Sequence, residues 1–322
     1  MPLSEFELIK QYFTRQAKYS SVVKSIGDDC AILSIPESQQ LVLSMDTLVS
    51  GRHFPESAAP YQIATRAMCT TVSDLAAMGA TPLWFTLGLT LPEIDEQWVA
   101  EFSRGLFDMA DRFEMDLIGG DTTQGPLTIT IQVHGTVVEG QVLKRDAAKV
   151  GDRLFVSNYI GDGAAALAAI QQKINVSSDA KNYLLSRFYS PFPQIELGKA
   201  VVPFAHAAID ISDGLLADAQ HIADASGVGL VIDVDRLPIN ACLQQYDSDA
   251  VRAWALTGGD DYQLLFTVKE AALQELEKVT KEKKISVTDI GRVVAGEGVQ
   301  CCVDGAPYIL STQQRGYQHF TA

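Results

Sequence analysis

Apolar and polar residues follow two alternating periods along the first 140 residues of the chain. Short apolar or alternating runs with a period of two are typical of strands, and runs with a period near 3.6 are typical of helices. Gly79, with Pro82 beyond it, is a typical end for the second helix. The pattern predicts strands over 27–35, 41–48, 83–91, 115–118 and 128–138, and helices over 4–13, 61–78 and 96–113.

The second half of the chain repeats this mixture after a charged, Gly-containing segment at 139–152, where we predict a domain boundary. Strands are predicted over 154–157, 207–211, 229–234, 262–268, 286–294 and 300–303. Helices are predicted near 162–172, 179–187, 195–204, 249–256 and 270–283, with one more ending at Ser226. The expected fold class is therefore α/β (α+β), with two mixed domains over 1–140 and 141–322.

Composition narrows the class of protein. A chain of 322 residues, 47% hydrophobic and 20% charged, is expected to form a two-domain globular enzyme. A formal net charge of −15 and a pI near 4.7 disfavour nucleic acid as a partner. The five cysteines form no C-x-x-C pair, and the amino-terminal segment lacks the apolar core of a secretory signal. We expect a cytoplasmic protein with reduced cysteines and no membrane span.

Aspartates stand in apolar segments that contain few cationic residues. A carboxylate removed from water needs a partner, and a set of oxygen ligands without a His or Cys cluster indicates a hard ion such as Mg²⁺. Most of them follow predicted strands, where ligands of α/β folds gather. The set comprises Asp28, Asp29, Asp46, Asp74, Asp121, Asp210, Asp213, Asp260 and Asp261.

Each aspartate also has a simpler explanation when it is taken alone. Asp28–Asp29 suits a Gly-Asp turn, and the two glycines before Asp121 suit a tight turn. The Thr70 or Thr71 hydroxyl could satisfy Asp74 on its helix, and Ser212 or Asp213 could cap the helix that follows. One shared site explains the recurrence better than several independent turns.

Other familiar catalytic motifs are absent from the sequence. It contains no P-loop, no G-x-G-x-x-G with a suitable acid, no G-x-S-x-G and no H-E-x-x-H. His53, in the polar segment G-R-H-F, is the histidine we expect near a ligand, and Arg145 is the cation best placed for a phosphate. A solvated surface position is the commoner role for such an arginine.

Seven motifs in order along the chain resemble those of the thiamine-monophosphate kinase family, within the aminoimidazole-ribonucleotide-synthetase-like ATP-binding superfamily. They span almost the whole sequence, which makes the resemblance specific. The motifs are S-I-G-D-D-C-A, D-T-L-V-S-G-R-H-F from Asp46 to Phe54, V-S-D-L-A-A-M-G-A, L-I-G-G-D-T-T, I-D-I-S-D-G-L, G-G-D-D-Y and the terminal G-Y-Q-H-F.

The resemblance implies ATP-dependent phosphorylation of thiamine monophosphate to thiamine diphosphate, assisted by several Mg²⁺ ions. The metal ligands it implies are Asp29, Ser44, Met45 through its backbone, Asp46, Asp74, Asp121, Asp210 and Asp213. Gly120, Asp121, Arg145 and Ser212 would contact ATP, and His53, Asp260 and Tyr317 would contact the thiamine phosphate. The sequence departs from the family at Met45, where Thr is frequent, and at Asp260, where Glu is usual.

The resemblance also implies an assembly and a division of labour. The N-terminal sheet would bind ATP and Mg²⁺ and pair with its twin in a homodimer, and the C-terminal α/β sandwich would close over nucleotide and substrate. Two other functions remain open from the residues: a sibling synthetase that uses ATP to activate an amide or formyl oxygen, and a non-catalytic divalent-ion binding module. The D-x-[DN]-x-[DN]-G-x₅-E loop typical of such a module is absent.

The acceptor in the kinase reaction would be a phosphate oxygen. A phosphate monoester with a second pKa of about 6 is largely dianionic at neutral pH, so it needs no catalytic base. We therefore expect direct in-line transfer, with aspartates that position metal ions and take no part in proton transfer.

Overall fold

The structure, a computed structural model, describes residues 4–309 and 316–317. The chain forms two compact units. The first runs to Leu75 and continues over Ala80–Gly140, and the second contains Ala76–Gly79 together with the chain from Gln141 onward.

The first unit is built on a four-stranded sheet with strand order β3-β6-β4-β5. β6 pairs antiparallel with β3 and β4, whereas β4 and β5 are parallel and are joined through a helix. A two-stranded ribbon, β1 with β2, lies outside this sheet. The elements are α1 (Glu5–Leu8), a π-helical turn (Ile9–Phe13), β1 (Val22–Lys24), β2 (Ile32–Leu33), β3 (Gln39–Val49), α2 (Pro60–Ala77), β4 (Thr81–Leu91), α3 (Glu96–Arg112), β5 (Asp116–Gln124) and β6 (Thr128–Val138).

Alternation along β6 gives this sheet one apolar, buried face. Ile129, Ile131 and Val133 are fully buried, and the residues between them are half-buried. Because successive strand residues point to opposite faces, the alternation along β6 gives the sheet a core side and an outer side. α3 begins where the Asp95 carboxylate accepts the backbone N–H groups of Gln97 and Trp98.

The second unit contains a seven-stranded sheet with strand order β13-β12-β9-β11-β7-β10-β8. All neighbouring strands are antiparallel except β12 and β9, which are parallel. The elements are β7 (Arg153–Ser157), α4 (Asp162–Ile170), α5 (Ser178–Tyr189), α6 (Ile195–Val201), β8 (Ala205–Asp210), α7 (Leu215–Ser226), β9 (Gly229–Asp233), α8 (Ser248–Thr257), β10 (Leu264–Val268), α9 (Leu273–Lys283), β11 (Val287–Val294), β12 (Gly298–Val303) and β13 (Ala306–Tyr308), with short 3₁₀ turns at Val234–Arg236, Ala241–Leu243 and Glu270–Ala272.

Both faces of this second sheet are covered. On β7, Leu154 and Val156 belong to one apolar cluster, which includes Ile222 of α7, while Phe155 between them belongs to another. The second cluster includes Leu197 of α6 and Leu276 of α9. The unit therefore has helices on both sides of its sheet.

The predicted fold class, two mixed α/β domains, is confirmed. Three local predictions were wrong or incomplete. The segment 27–35 contains only the two-residue strand β2, because its Gly-Asp-Asp portion bends. The glycines before Asp121 lie inside β5 and do not form a turn. The short strands β1 and β13 were missed, since three residues carry too little periodicity to detect. In the part of the chain that the structure describes, no helix combines the length and the apolar character needed to cross a bilayer.

The crossing of α2 and α3 gives a test of the packing. A Cβ added at Gly105 of α3 would lie 2.6 Å from the backbone oxygen of Tyr61 in α2. We expect Gly105→Ala to lower the free energy of unfolding by roughly 1–3 kcal/mol, because the two helices must separate. Urea denaturation measures this change. Gly119→Ala, where the nearest atom would lie 3.9 Å away, is the control; equal stability of both variants would contradict the described crossing.

Candidate functional site

Two predicted metal ligands meet in the first unit, where β3 faces α2. The Ser44 hydroxyl donates a 2.5 Å hydrogen bond to an oxygen of Asp74. Asp46 lies two residues beyond Ser44 on β3 and shares its half-buried face. Met45, between them, is on the opposite face with its side chain exposed. The structure thus groups Ser44, Asp46 and Asp74. Of Met45, only the backbone could contact a metal ion bound to them.

The simpler explanation of Asp74 is not the one that the structure gives. The hydroxyls of Thr70 and Thr71 both donate to the backbone carbonyl of Ala67, one turn earlier in α2. Ser44, on a strand 30 residues away in sequence, supplies the hydrogen bond instead. Asp74 is therefore oriented by the neighbouring strand.

Gly120 and Asp121 lie on the far edge strand of the same sheet. Asp46 is aligned with Ile131, Ile131 with Leu87, and Leu87 with Gly120. Three strand spacings of about 4.8 Å place Gly120 roughly 14 Å from Asp46. A Cβ at Gly120 would lie 2.0 Å from the Leu87 carbonyl oxygen, so close strand packing requires this glycine. Asp121 is exposed and cannot share one ion with Asp46 at this separation.

Asp28 has a cationic neighbour, so it is an exception to the expectation that these acids lie in segments with few cationic residues. Its carboxylate lies 3.3 Å from the Lys24 ammonium group. The pKa of Asp28 is lowered, first by the backbone N–H of Asp29 and then by Lys24. Asp29, the predicted ligand of the pair, is exposed.

His53 is held in the turn that follows β3. Its ring Nδ1 accepts the Val49 backbone N–H at 3.0 Å, and its carbonyl accepts a hydrogen bond from Arg66 Nε at 2.9 Å. Because Nδ1 is an acceptor, the neutral ring carries its proton on Nε2. The ring can thus present an N–H donor to an anionic group.

Five predicted residues converge in the second unit. Asp210 ends β8, and the segment carrying Ser212 and Asp213 follows it directly. The Asp260 backbone N–H donates to the Ser212 carbonyl, and the Tyr317 backbone N–H donates to the Asp213 carbonyl, both at 2.9 Å. The three stretches that contain these residues are therefore neighbours in space, although 107 positions separate the first from the last. Of the terminal motif, Gln318–Phe320 lie outside the described residues.

The turn at Asp260 is tightly packed and conformationally unusual. Asp260 has φ +70° and Tyr262 has φ +49°, and the Tyr262 hydroxyl donates to Asp260 at 3.2 Å. A Cβ on Gly259 would lie 2.5 Å from the Ser212 carbonyl oxygen, and one on Gly163 would lie 2.5 Å from the Asp260 backbone. Backbone-to-backbone packing thus fixes the backbone position of Asp260, from which its carboxylate extends.

Asp218 is a residue at this site that the sequence reasoning missed. One of its oxygens accepts the backbone N–H groups of Ser212, Asp213 and Gly214, at 3.0, 3.1 and 3.1 Å. Burial raises the pKa of Asp218 to about 7, with a further contribution from Asp213, and the three N–H groups oppose this rise. The Ser212 and Asp213 side chains do not cap α7; Asp218, from within the helix, fulfils that role. A signal was present in the sequence, since an acid in the first turn favours a helix N-terminus.

Asp261 is a second such carboxylate. It is almost fully buried and accepts the backbone N–H groups of Gly161 at 2.7 Å and Gly163 at 3.0 Å, at the start of α4. Burial is the main cause that raises the pKa of Asp261 to about 7. The sequence paired Asp261 with Asp260 but could not show that the two carboxylates point to different surroundings.

Arg145 is exposed, and its neighbouring contacts concern the backbone. Lys144 forms a bridge with Ala207 of β8, and the Arg145 carbonyl accepts a hydrogen bond from Ser226 at the end of α7. The role of the Arg145 guanidinium group as an ATP contact stays a prediction.

The grouped side chains could supply only part of the coordination shell of a hard cation. Among the described residues, no group of three or more His, Cys, Asp or Glu lies close enough to hold a metal ion. The groups that do form offer oxygen atoms, as at Ser44 and Asp74, and Mg²⁺ commonly takes one or two carboxylates and completes its shell with phosphate and water. The donor set therefore fits Mg²⁺ bound together with a nucleotide.

Comparisons with known proteins cover nearly the whole chain. The family model "AIR synthase related protein, N-terminal domain" matches residues 27–137, and its C-terminal counterpart matches 149–304. The thiamine-monophosphate kinase of Salmonella typhimurium is 45% identical over 324 residues, 99% of each chain, and that of Haemophilus influenzae is 40% identical over 329 residues, again 99% of each.

Solved structures agree with these relatives. The crystal structure of thiamine-monophosphate kinase from Stenotrophomonas maltophilia is 42% identical, with a TM-score of 0.87, covering 96% of this chain and 99% of that one. The structure of AaThiL complexed with AMPPCP and TMP is 32% identical, with a TM-score of 0.77 and 92% of each chain covered. The hydrogenase maturation protein HypE in complex with ATP, at 20% identity and a TM-score of 0.75, shares the fold.

The raised pKa of Asp261 predicts a pH dependence of stability. The folded protein retains this proton to about pH 7, whereas the ordinary pKa of an Asp side chain is 3.8. The resulting stabilisation is fully present below pH 3.8 and is lost as the pH rises through about 7. The Asn variant has no such proton, so the deficit in free energy of unfolding of Asp261→Asn relative to the parent should shrink from pH 5 to pH 8. Urea unfolding across this range measures it. Asp179→Asn, at an exposed position, is the control, and a constant or growing deficit would contradict the assignment.

Proposed function

The chain belongs to the thiamine-monophosphate kinase family of AIR-synthase-related proteins, and on this premise we propose that it phosphorylates thiamine monophosphate with ATP. It is a phosphotransferase whose acceptor is itself a phosphate group, and its products are thiamine diphosphate and ADP. The supporting observation is a relative that holds AMPPCP and TMP together, with 92% of each chain covered. Identity of 45% over the full length of the Salmonella typhimurium enzyme supports the same activity.

The reaction needs alignment more than acid–base chemistry. An oxygen of the substrate phosphate forms a bond to the γ-phosphorus of ATP while the bond from that phosphorus to the β,γ-bridging oxygen breaks, and ADP leaves with the electron pair. The attacking phosphate is already mostly dianionic at neutral pH, since its second pKa is about 6. The chain therefore has to bring two anions together and hold them in line.

Mg²⁺ is the cofactor that we assign to this task. When bound, it neutralises phosphate charge and polarises phosphoryl oxygens. In the first unit, Ser44, Asp46 and Asp74 would hold an ion, with the Met45 backbone beside them. Asp29 and Asp121 would serve from separate positions, and Asp210 and Asp213 from the second unit. With a net charge of −15, the protein would otherwise repel both substrates.

Polar groups of the site would bind the organic substrates. Ser212, Gly120, Asp121 and Arg145 would contact ATP. His53, whose ring proton lies on Nε2, would donate to the phosphate of thiamine monophosphate. Asp260 offers a carboxylate to the cationic thiazolium or to the amino group of the pyrimidine, and Tyr317, tied to the Asp213 backbone, lies beside the same turn.

We also infer that the protein is a homodimer that pairs through the first unit. The edge strand β3 carries exposed apolar side chains on one face: Leu41, Leu43, Met45 and Val49. Leu43 and Met45 are 56% and 59% exposed, which is unusual for neighbours on one strand face. A second copy of this sheet would cover them with a surface of the same character, as isologous pairing requires.

The activity is tested by incubating the protein with ATP, Mg²⁺ and thiamine monophosphate and separating the products. We expect thiamine diphosphate and ADP in equal amounts. Asp213→Asn and Asp74→Asn should each lower kcat by roughly 100-fold or more, because a neutral amide replaces an anionic ligand. Circular dichroism should show both variants folded.

Asp224→Asn is the matched control for this experiment. Asp224 is an exposed acid near the other end of α7, and its loss should leave turnover unchanged. ADP without thiamine diphosphate would point to a synthetase that activates another oxygen. Near-normal turnover of Asp213→Asn at saturating Mg²⁺ would reject that residue as a ligand.

The dimer is tested by charge on the apolar face of β3. We expect the double variant Leu41→Glu/Leu43→Glu to sediment as a 34.9 kDa monomer, and the parent at twice that mass, because paired carboxylates would face each other across the interface. Val150→Glu, at a 59% exposed apolar position of the second unit, should remain dimeric. A monomeric parent would refute the inference.

A further inference from the structure

The N-termini of two helices beside the converging residues of the second unit are already occupied by carboxylates of the protein. Asp218 accepts three N–H groups where α7 begins, and Asp261 accepts two where α4 begins. Their exposed fractions are 3% and 1%. Neither residue has a place in the proposed chemistry, since both are bonded away from solvent.

The occupied N–H groups are the kind that often bind phosphate. A helix N-terminus presents unpaired backbone donors and a positive dipole end, which favours an anion. At Ser212, Asp213 and Gly214 the three donors point at one Asp218 oxygen instead. A nucleotide phosphate therefore cannot use these donors while Asp218 is in place, and recognition there falls to the side chains of the segment.

The two carboxylates hold different segments. Asp218 fixes residues 212–214, which carry the predicted nucleotide contact Ser212 and the predicted metal ligand Asp213. Asp261 joins the start of α4 to the turn that carries Asp260, and a Cβ at Gly163 would meet the Asp260 backbone at 2.5 Å. Asp218 thus holds the segment predicted to bind metal and nucleotide, whereas Asp261 holds the turn predicted to bind the thiamine phosphate.

We propose that Asp218 and Asp261 are positioning residues with separate tasks, Asp218 for the metal and nucleotide side of the site and Asp261 for the thiamine-phosphate side. This inference rests on the proposed function and deepens it. A purely structural role predicts something else: loss of either carboxylate would weaken both sides together, in proportion to the loss of stability.

The experiment compares Asp218→Ala and Asp261→Ala with Asp152→Ala in the full-length protein. Asp152 is also 3% exposed, accepts a backbone N–H from Lys149 and contacts His206 at 2.9 Å, and it precedes β7, whereas Gly161 follows that strand. It is therefore a carboxylate of similar burial away from the proposed site. Melting temperatures report the stability lost in each variant.

Two quantities separate the two tasks. The first is the Mg²⁺ concentration that gives half-maximal binding of the ATP analogue AMPPCP, measured by calorimetry. The second is the KM for thiamine monophosphate at saturating Mg²⁺ and ATP. We expect Asp218→Ala to raise the first roughly tenfold or more, and Asp261→Ala to raise the second by a similar factor. Each should change the other quantity by a clearly smaller factor, because backbone hydrogen bonds from Asp260 and Tyr317 link the two sides. Asp152→Ala should leave both quantities within about twofold of the parent.

The inference fails if each variant shifts both quantities by similar factors, or if Asp152→Ala with an equal loss of melting temperature shifts them as much. If an alanine variant does not fold, Asp218→Asn and Asp261→Asn, which keep one oxygen acceptor, should show the same pattern at smaller size. A parent that makes no thiamine diphosphate would refute the proposed function alone. Binding of AMPPCP with Mg²⁺ and binding of thiamine monophosphate would then still decide the two assignments.

Discussion

The cost of holding carboxylates away from water governs how the second unit is built. A carboxyl group in a dry interior needs hydrogen-bond donors or cations to compensate for its lost hydration, and its pKa rises where they compensate only in part. Here backbone N–H groups at the starts of α4 and α7 meet Asp261 and Asp218, and in doing so they fix the two turns that carry Asp260 and Asp213. The geometry of the converging residues follows from this compensation together with the backbone hydrogen bonds that join Asp260 and Tyr317 to the 212–213 segment.

The first unit meets the same constraint in another way. Asp74, on α2, accepts a hydrogen bond from Ser44 on β3. A helix and a strand are thereby joined through a polar contact at the margin of an apolar sheet face. Asp46 shares that margin and remains half-buried. Carboxylate and hydroxyl oxygens are ligands that suit Mg²⁺, and an ion bound together with nucleotide phosphates would offset the repulsion between an acidic protein and two anionic substrates.

Periodicity was sufficient to predict most of the fold, but the site depended on contacts that no local pattern contains. The strand over 128–138 was predicted to the residue because alternation continues along its full length. The segment at 27–35 was mistaken for a strand because its apolar residues flank a polar bend. The apolar settings of Asp210, Asp213 and Asp260 marked them as candidates, and the resemblance assigned their roles. Tertiary hydrogen bonds from Asp260 and Tyr317 to the 212–213 backbone show their proximity. Asp218 escaped notice because its partners are backbone groups, which look alike in every sequence.

The left-handed backbone at Asp260 bears on how the substrate range of such an enzyme could be altered by directed evolution. At φ +70° the residues tolerated best are Gly, Asn and Asp, whereas β-branched side chains are strained. In a library of all amino acids at position 260, most variants would therefore be lost to backbone strain before any of them could be selected for activity. Variation aimed at new acceptors is better directed to neighbours with ordinary backbone angles, with this position left as the anchor around which they change.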